Sequence, residues 1–306
     1  MSQPQILSIR DCPVCGCAVE KGIPFLDRHI TESKLSEFSY ASRKTPEFMR
    51  YRMLRCAQCD VLYACEAPEQ SHLSAAYHQA AYDSQEEALH AAEAYEKALL
   101  PIIEGMSDRQ GVLDIGTGTG VFLQRMQANG FTGVVGVEPS RSAIDAAAPD
   151  IRSCIREGIF SEKDFSKESF AMITCFMTLE HVTDPAALVR EAVRLLKPGG
   201  VFVAVVHDWR AWNNRVLGAR APIIDIEHLQ LFSPQSARTL LERQTLTDVR
   251  CSSFANSYCL DYWNRLFPTP DLFKQALTAI LCATGIGRMR LSMNVGNLIL
   301  TSRKVG

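Results

Sequence analysis

Two sets of residues in this chain are spaced for chemistry. The first is cysteine. Cys12-Pro-Val-Cys15 and Cys56-Ala-Gln-Cys59 form two C-x-x-C knuckles. Four thiolates at this spacing satisfy a tetrahedral zinc ion. A site closed by four thiolates keeps no open position, so its metal is structural rather than catalytic. Each pair is followed by a residue common in knuckles, Gly16 and Asp60. Cys17 and Cys65 are spare, and either could replace a ligand. Cys154, Cys175, Cys251, Cys259 and Cys282 sit in apolar company and read as core residues.

The second set is glycine. Residues 112–120 read VLDIGTGTG: an apolar run, Asp114, then Gly116, Thr117, Gly118 and Gly120. Glycines at such a turn let the backbone approach a ligand that a Cβ would exclude. A dinucleotide fingerprint, G-x-G-x-x-G, would need its third glycine at position 121, which is Val121. Glu138 ends the next apolar run, GVVGVE. A carboxylate at that place can accept two hydrogen bonds from a ribose diol.

The surrounding pattern says what must position these residues. From Gly111 onward, apolar runs alternate with amphipathic stretches. VFLQRMQANG is a helix stopped by Gly130, and Ser140 offers a cap to a short Ala-rich helix. SFAMITCFM reads as a buried strand. DPAALVREAVRLLKPGG is a helix with Asp184 as cap, Pro185 at its first position and Gly199-Gly200 beyond its end. VFVAVV and a final NLILTSRK read as strands, and SPQSARTLLERQ as another helix. Leu73 to Met106 is helical in pattern. The fold class is therefore α/β, a doubly wound and mostly parallel sheet covered by helices, with an N-terminal zinc-ribbon module. The expected organisation is residues 1–66 for the ribbon, 67–108 for a helical cover, and 109–306 for the ligand-binding domain. An apolar insertion lies at about 253–295. It reads either as a platform for a large or lipid-linked acceptor, or as a homodimer interface or added core.

Composition narrows the classes. A 306-residue chain with 47% hydrophobic and 22% charged residues can bury a real core. A net charge of -2 gives no global attraction to nucleic acid or anionic membrane. No window approaches the ~18 apolar residues of a spanning helix, and the N-terminus does not read as a signal peptide. Eleven cysteines without such a signal suit reduced thiols in a cytoplasm.

Gly116, Gly118 and Gly120 with Asp114 upstream and Glu138 downstream resemble the first motifs of class I S-adenosylmethionine-dependent methyltransferases. The LEH and LKPGG segments of residues 170–206 extend the resemblance, which departs at Ala171, where these sequences usually carry Asp. With its N-terminal ribbon the chain is similar to bacterial sugar and small-molecule methyltransferases. The resemblance implies S-adenosylmethionine as cofactor, held by the glycine loop with Glu138 and Pro139. Gly158, Ile159 and Phe160 would surround the adenine, and Tyr77 and Tyr82 would line the mouth. Ile159 stands where an Asp often follows the Gly, so adenine contacts would be apolar and backbone-based. A small-molecule or glycan acceptor is expected, O- or C-methylated, with His181, His207 and His228 as candidate bases. Each histidine could instead be structural. The linker 209–232, with Trp212, Asn213 and Asn214, is expected to wall the acceptor pocket together with His181 and part of the insertion. Two alternatives stand beside this reading. One is an RNA methyltransferase using the ribbon on RNA, which the balanced charge of the ribbon disfavours. The other is a non-catalytic binding module.

Overall fold

The computed structural model describes residues 7–31, 33, 35–36, 39–40, 46–80, 85–266, 269 and 271–306. Its N-terminal part holds five short strands: β1 (Leu7–Ile9), β2 (Ile23–Leu26), β3 (Met53–Arg55), β4 (Leu62–Ala64) and β5 (Glu66–Pro68). Helices α1 (Gln70–Gln79) and α2 (Gln85–Glu104) follow, so the helical stretch read from Leu73 to Met106 is two helices.

Alternation then sets in as the pattern predicts: β6 (Gln110–Ile115), α3 (Val121–Ala128), β7 (Thr132–Glu138), α4 (Arg141–Ala146), α5 (Pro149–Arg152), β8 (Ile155–Glu157), β9 (Phe170–Phe176), α6 (Pro185–Leu195) and β10 (Leu196–His207). After these come α7 (Trp212–Leu217), β11 (Gln230–Leu231), α8 (Pro234–Glu242), β12 (Leu246–Cys259), α9 (Leu260–Leu266), α10 (Asp271–Thr284) and β13 (Arg290–Lys304). The main sheet has seven strands in the order β12-β13-β10-β9-β6-β7-β8. The five from β10 to β8 run parallel, whereas β13 lies antiparallel between β10 and β12.

Capping fixes where the helices begin. Asp184 accepts from Ala187 N at 2.8 Å, with Pro185 at the first helical position. Ser140 accepts from Ala143 N, and Ser233 forms a reciprocal box with Ser236. The side-chain alternation of the strands feeds two cores. Phe202, Ala204 and Val206 face the cluster containing Leu188, Val193 and Leu240. Val201, Val203 and Val205 face the one containing Leu99, Leu123 and Met126. Every residue of β9 is buried, as a strand covered on both faces requires.

Two readings change. The small N-terminal sheet is not built from N-terminal residues alone: its order is β11-β4-β3-β2, with β11 donated by the linker after β10. The segment read as an insertion begins and ends as β12 and β13, which pair antiparallel from Cys259 opposite Arg290, so only α9, α10 and their connections project. Of the five cysteines read as core, Cys175 is buried, Cys154, Cys251 and Cys259 are half-buried, and Cys282 is exposed on α10. Apolar neighbours in sequence did not imply apolar surroundings there, because α10 turns much of its apolar surface to solvent, Leu272 at 83% exposure included. Among the described residues, no helix is long and apolar enough to cross a membrane.

Candidate active site and metal centre

The carboxyl ends of β6, β7, β9 and β10 open into one cavity of about 650 Å³. Its near end is the glycine loop. Gly116, Gly118 and Gly120 have φ of 76, 58 and 72°, which favours glycine. A Cβ on Gly116 would stand 2.3 Å from Thr178 Oγ1, whereas one on Gly118 would meet nothing within 4 Å. Gly116 thus lets the loop close onto the end of β9, and Gly118 leaves room for a ligand.

Asp114 clamps the loop from beneath. Its carboxylate accepts from Thr117 Oγ1 at 2.8 Å and Thr174 Oγ1 at 2.7 Å, and burial pushes it up to about 6. Glu138 accepts from Gly118 N and Ser140 N, both at 2.8 Å, and burial pushes its carboxyl up to about 7. Each carboxylate oxygen keeps a second lone pair. Pro139, Gly158, Ile159 and Phe160 line the same end, with Ile159 half exposed. Tyr82 lies outside the described residues.

At the far end the three histidines come together. The His228 ring is 4.9 Å from His181 and 5.0 Å from His207, centroid to centroid. Each ring faces an oxygen through Nδ1: His228 to Ile223 O at 2.9 Å, His181 to Glu227 O at 3.0 Å, and His207 to Asn297 Oδ1 at 2.8 Å. A carbonyl accepts only, so each Nδ1 carries a proton, and His228 Nε2 lies 3.8 Å from Glu227 Oε1. Burial holds His207 down to about 4. Tyr77 sits at 3.0 Å from His181 Nδ1 and donates to Glu227 O. It therefore adjoins the histidines as well as lining the cavity. Met177, just past β9, is held at φ 51° in the cavity wall, one of five non-glycine residues of positive φ among the described residues.

Glu180, between β9 and α6, is fully buried. One carboxyl oxygen accepts from His207 N at 2.6 Å, and its carbonyl accepts from Leu229 N at 2.8 Å, while Oε2 has no partner among the described residues. Burial pushes it up to about 8. A folded-state value above the unfolded one, ~4.3, means the proton is held in the native state. The associated stability is complete below the unfolded value and is lost as pH rises through about 8. Between pH 7 and 9 thermal unfolding should therefore shift downward, by about 2–4 °C for each kcal/mol lost. Glu180→Gln, which cannot ionise, should flatten that slope. An identical slope in both proteins, by calorimetry, would remove Glu180 as its source.

The first cysteine knuckle shares a small surface pocket with Thr183, Asp184 and Ala186. The sulfurs of Cys12, Cys15, Cys56 and Cys59 all lie within 4.8 Å of one another, with Cys12–Cys59 and Cys15–Cys56 at 3.5 Å. A tetrahedron with ~2.3 Å metal–sulfur bonds has edges near 3.8 Å, so this donor set fits zinc. Cys17 and Cys65 are buried outside the cluster.

Residues 82–250, more than half of the chain, match the family model described as "Methyltransferase domain". The chain belongs to this methyltransferase family. Among curated relatives, the chain is 37% identical over 131 residues to a ubiquinone biosynthesis O-methyltransferase of Paracidovorax citrulli, covering 38% of this chain and 53% of that one. It is 28% identical over 174 residues to the enzyme of that name from Bartonella tribocorum, covering 52% and 68%. The chain spans about half the length of most of the curated relatives it matches. A solved SAM-dependent methyltransferase from Archaeoglobus fulgidus is 15% identical, with a TM-score of 0.48 over 70% of this chain and 94% of that one.

Several cavity residues were not read from sequence. Asn256 on β12 and Asn297 on β13 are buried and line the cavity; Asn256 Oδ1 and Asn297 Nδ2 have no partner among the described residues. An asparagine inside an apolar strand such as GNLIL, where it is a poor strand former, was the available signal. Trp212 reaches the cavity but is 75% exposed, at the mouth. Tyr95, stacked on Phe176 at 4.2 Å, floors the middle.

Proposed function

We propose that the protein transfers the methyl group of S-adenosylmethionine to a hydroxyl-bearing small molecule or glycan, with a structural zinc in the cysteine knuckles. One observation carries this reading: a single cavity runs from Gly118 and Glu138 to the three histidines. The open space beyond Gly118 and the remaining lone pairs of Glu138 fit the cofactor's amino acid and ribose. When bound, the cofactor supplies a methyl group on a cationic sulfur, already activated for displacement. Carboxylates line the cavity, namely Asp114, Glu138, Asp184, Glu191, Asp225 and Glu227, and among the described residues no Lys or Arg does. That charge suits a cationic cofactor and a neutral acceptor, and it disfavours an RNA backbone. The unpartnered amide atoms of Asn256 and Asn297 suit an acceptor carrying hydroxyls. Similarity to proteins named O-methyltransferases favours oxygen as the atom methylated.

His228 is our assignment for the base. It stands between the other two rings, with Nδ1 on Ile223 O and Nε2 3.8 Å from Glu227 Oε1, a carboxylate that would stabilise the ring once it took the acceptor's proton. His207, held down to about 4, is a poor base at neutral pH and orients instead. His228→Ala should lower transfer by about 10²–10⁴-fold and leave the affinity for S-adenosylhomocysteine unchanged. A parallel fall of transfer, affinity and melting temperature would make His228 structural. The reading as a whole is tested by incubating the protein with methyl-labelled cofactor and fractionated cell extract. Label in a small-molecule or glycan fraction is expected. Label confined to RNA would overturn it.

A further inference from the structure

Each cysteine knuckle sends one residue across to the linker that follows β10. Arg10 lies two residues before Cys12. Its guanidinium donates to Ala64 O at 2.7 Å, Thr183 O at 2.9 Å, Leu229 O at 2.6 Å and Gln230 Oε1 at 3.1 Å. Asp60 follows Cys59 directly, at φ 67°. It accepts from Arg210 Nε at 2.9 Å and Nη2 at 2.5 Å, and its carbonyl accepts from Trp209 Nε1 at 3.0 Å. These contacts land immediately after His207 and immediately after His228.

The linker's apolar residues have the same dependence. Ile226 and Leu229 pack with Met49, Tyr51 and Ala64. Trp209, Ile223, Ile224 and Leu231 pack with Met53 and Leu62. Neither cluster contains a residue of the seven-stranded sheet. The linker touches that sheet at its two ends, through backbone bonds such as Phe232 N to His207 O at 3.1 Å and Asp208 N to Gly296 O at 2.8 Å, and through the Asn213 amide, which donates to Val295 O at 2.8 Å. Apart from Phe232, which packs into the main core with Phe202 and Leu240, its large buried apolar side chains lie in the two clusters shared with the cysteine module.

We infer that the metal knuckles act as a positioning device for the acceptor site: they fix Arg10 and Asp60, which hold the linker 208–232, and His228 with it, against the ends of β9 and β10. Arg10 and Asp60 are positioning residues, remote from any reacting atom. The inference rests on the methyl-transfer reading, because only there does the linker wall an acceptor. A ribbon that served only as a separate binding surface would have no need of these cross-links.

The test is Asp60→Asn. Asparagine tolerates positive φ and keeps the knuckle's backbone bond from residue 60 to Cys56 O, but it loses the charged pairs with Arg210 and, within the module, with Arg55 at 3.3 Å. Four quantities are measured on the full chain: zinc content, affinity for S-adenosylhomocysteine, hydrogen exchange, and label transfer into the accepting fraction of extract. Zinc and affinity should stay within about twofold, while exchange across residues 208–232 rises and transfer falls, each about tenfold or more. Arg210→Gln, which leaves both knuckles intact, should give the same pattern from the linker side and stands in if the first variant loses metal. Unchanged exchange and transfer in a metal-retaining variant would overturn the inference, as would loss of cofactor affinity in step with transfer. Failure of the unaltered protein to bind S-adenosylhomocysteine would overturn the methyl-transfer reading instead.

Discussion

Gly118→Val should weaken S-adenosylmethionine binding by about a hundredfold or more, equivalent to about 2.7 kcal/mol or above. A Cβ built on Gly118 meets nothing within 4 Å because the space beyond it is the cavity. Valine would fill that space with atoms fixed close to the backbone. Strain is the competing explanation, since a β-branched residue at φ 58° is unfavourable in itself. Gly199 supplies the control. It has φ 74° and an equally open Cβ direction, but it lies in the bend before the paired part of β10 and does not line the cavity. Gly199→Val should therefore lower stability by a similar amount and leave the cofactor's affinity intact. Calorimetric titration of both variants decides the matter; equal loss of affinity in the two would assign the effect to strain. Gly116 is unsuitable for this purpose, because its side chain would collide with Thr178 before any ligand arrived.

Cys56→Ser should remove the metal and unfold the N-terminal sheet. Purified protein is expected to carry about one zinc per chain, which elemental analysis checks. Structural zinc in small modules contributes of order 10 kcal/mol to folding, more than strands of three or four residues can supply by burial alone. Limited proteolysis of the variant should then cut first within residues 7–68, while the sheet carrying Gly118 and Glu138, with cores of its own, continues to bind S-adenosylhomocysteine. Cys17→Ser and Cys65→Ser should keep the zinc, because those sulfurs stand outside the four-sulfur group. Zinc retained without Cys56, or lost without Cys17, would redraw the ligand set.

How much of this could be read from the chain depended on range. The glycine loop, the caps at Asp184 and Ser140, and the two knuckles are local signals, complete within a few residues, and the structure bears out the elements they mark. The three histidines were legible as candidates because each follows or faces the end of a strand. That they meet was not legible, since His228 reaches the others only when β11 joins β4. Arg10 and Asp60 were invisible in role: their partners lie as far as 220 and 150 positions away, and a charged residue beside a cysteine reads as surface. Glu180 was not legible either, since no spacing announces that a carboxylate will be wholly enclosed, with one oxygen unpaired among the described residues. The exposed Cys282 misled in the opposite sense, because α10 is apolar without being covered.

The place of β13 has a consequence for synthesis. Val201 pairs with Arg303 and His207 with Asn297, so β10 waits for residues made about a hundred positions later. During translation the edge of β10 emerges with its backbone donors and acceptors open, and β12 follows with no neighbour on that side until β13 is made. An open edge of Val and Phe residues is a template for pairing with another nascent chain. The ribosome therefore delivers a half-finished sheet whose closing strand slides between two waiting neighbours, and the yield of soluble protein should depend on how slowly, and under what chaperone cover, that last strand arrives.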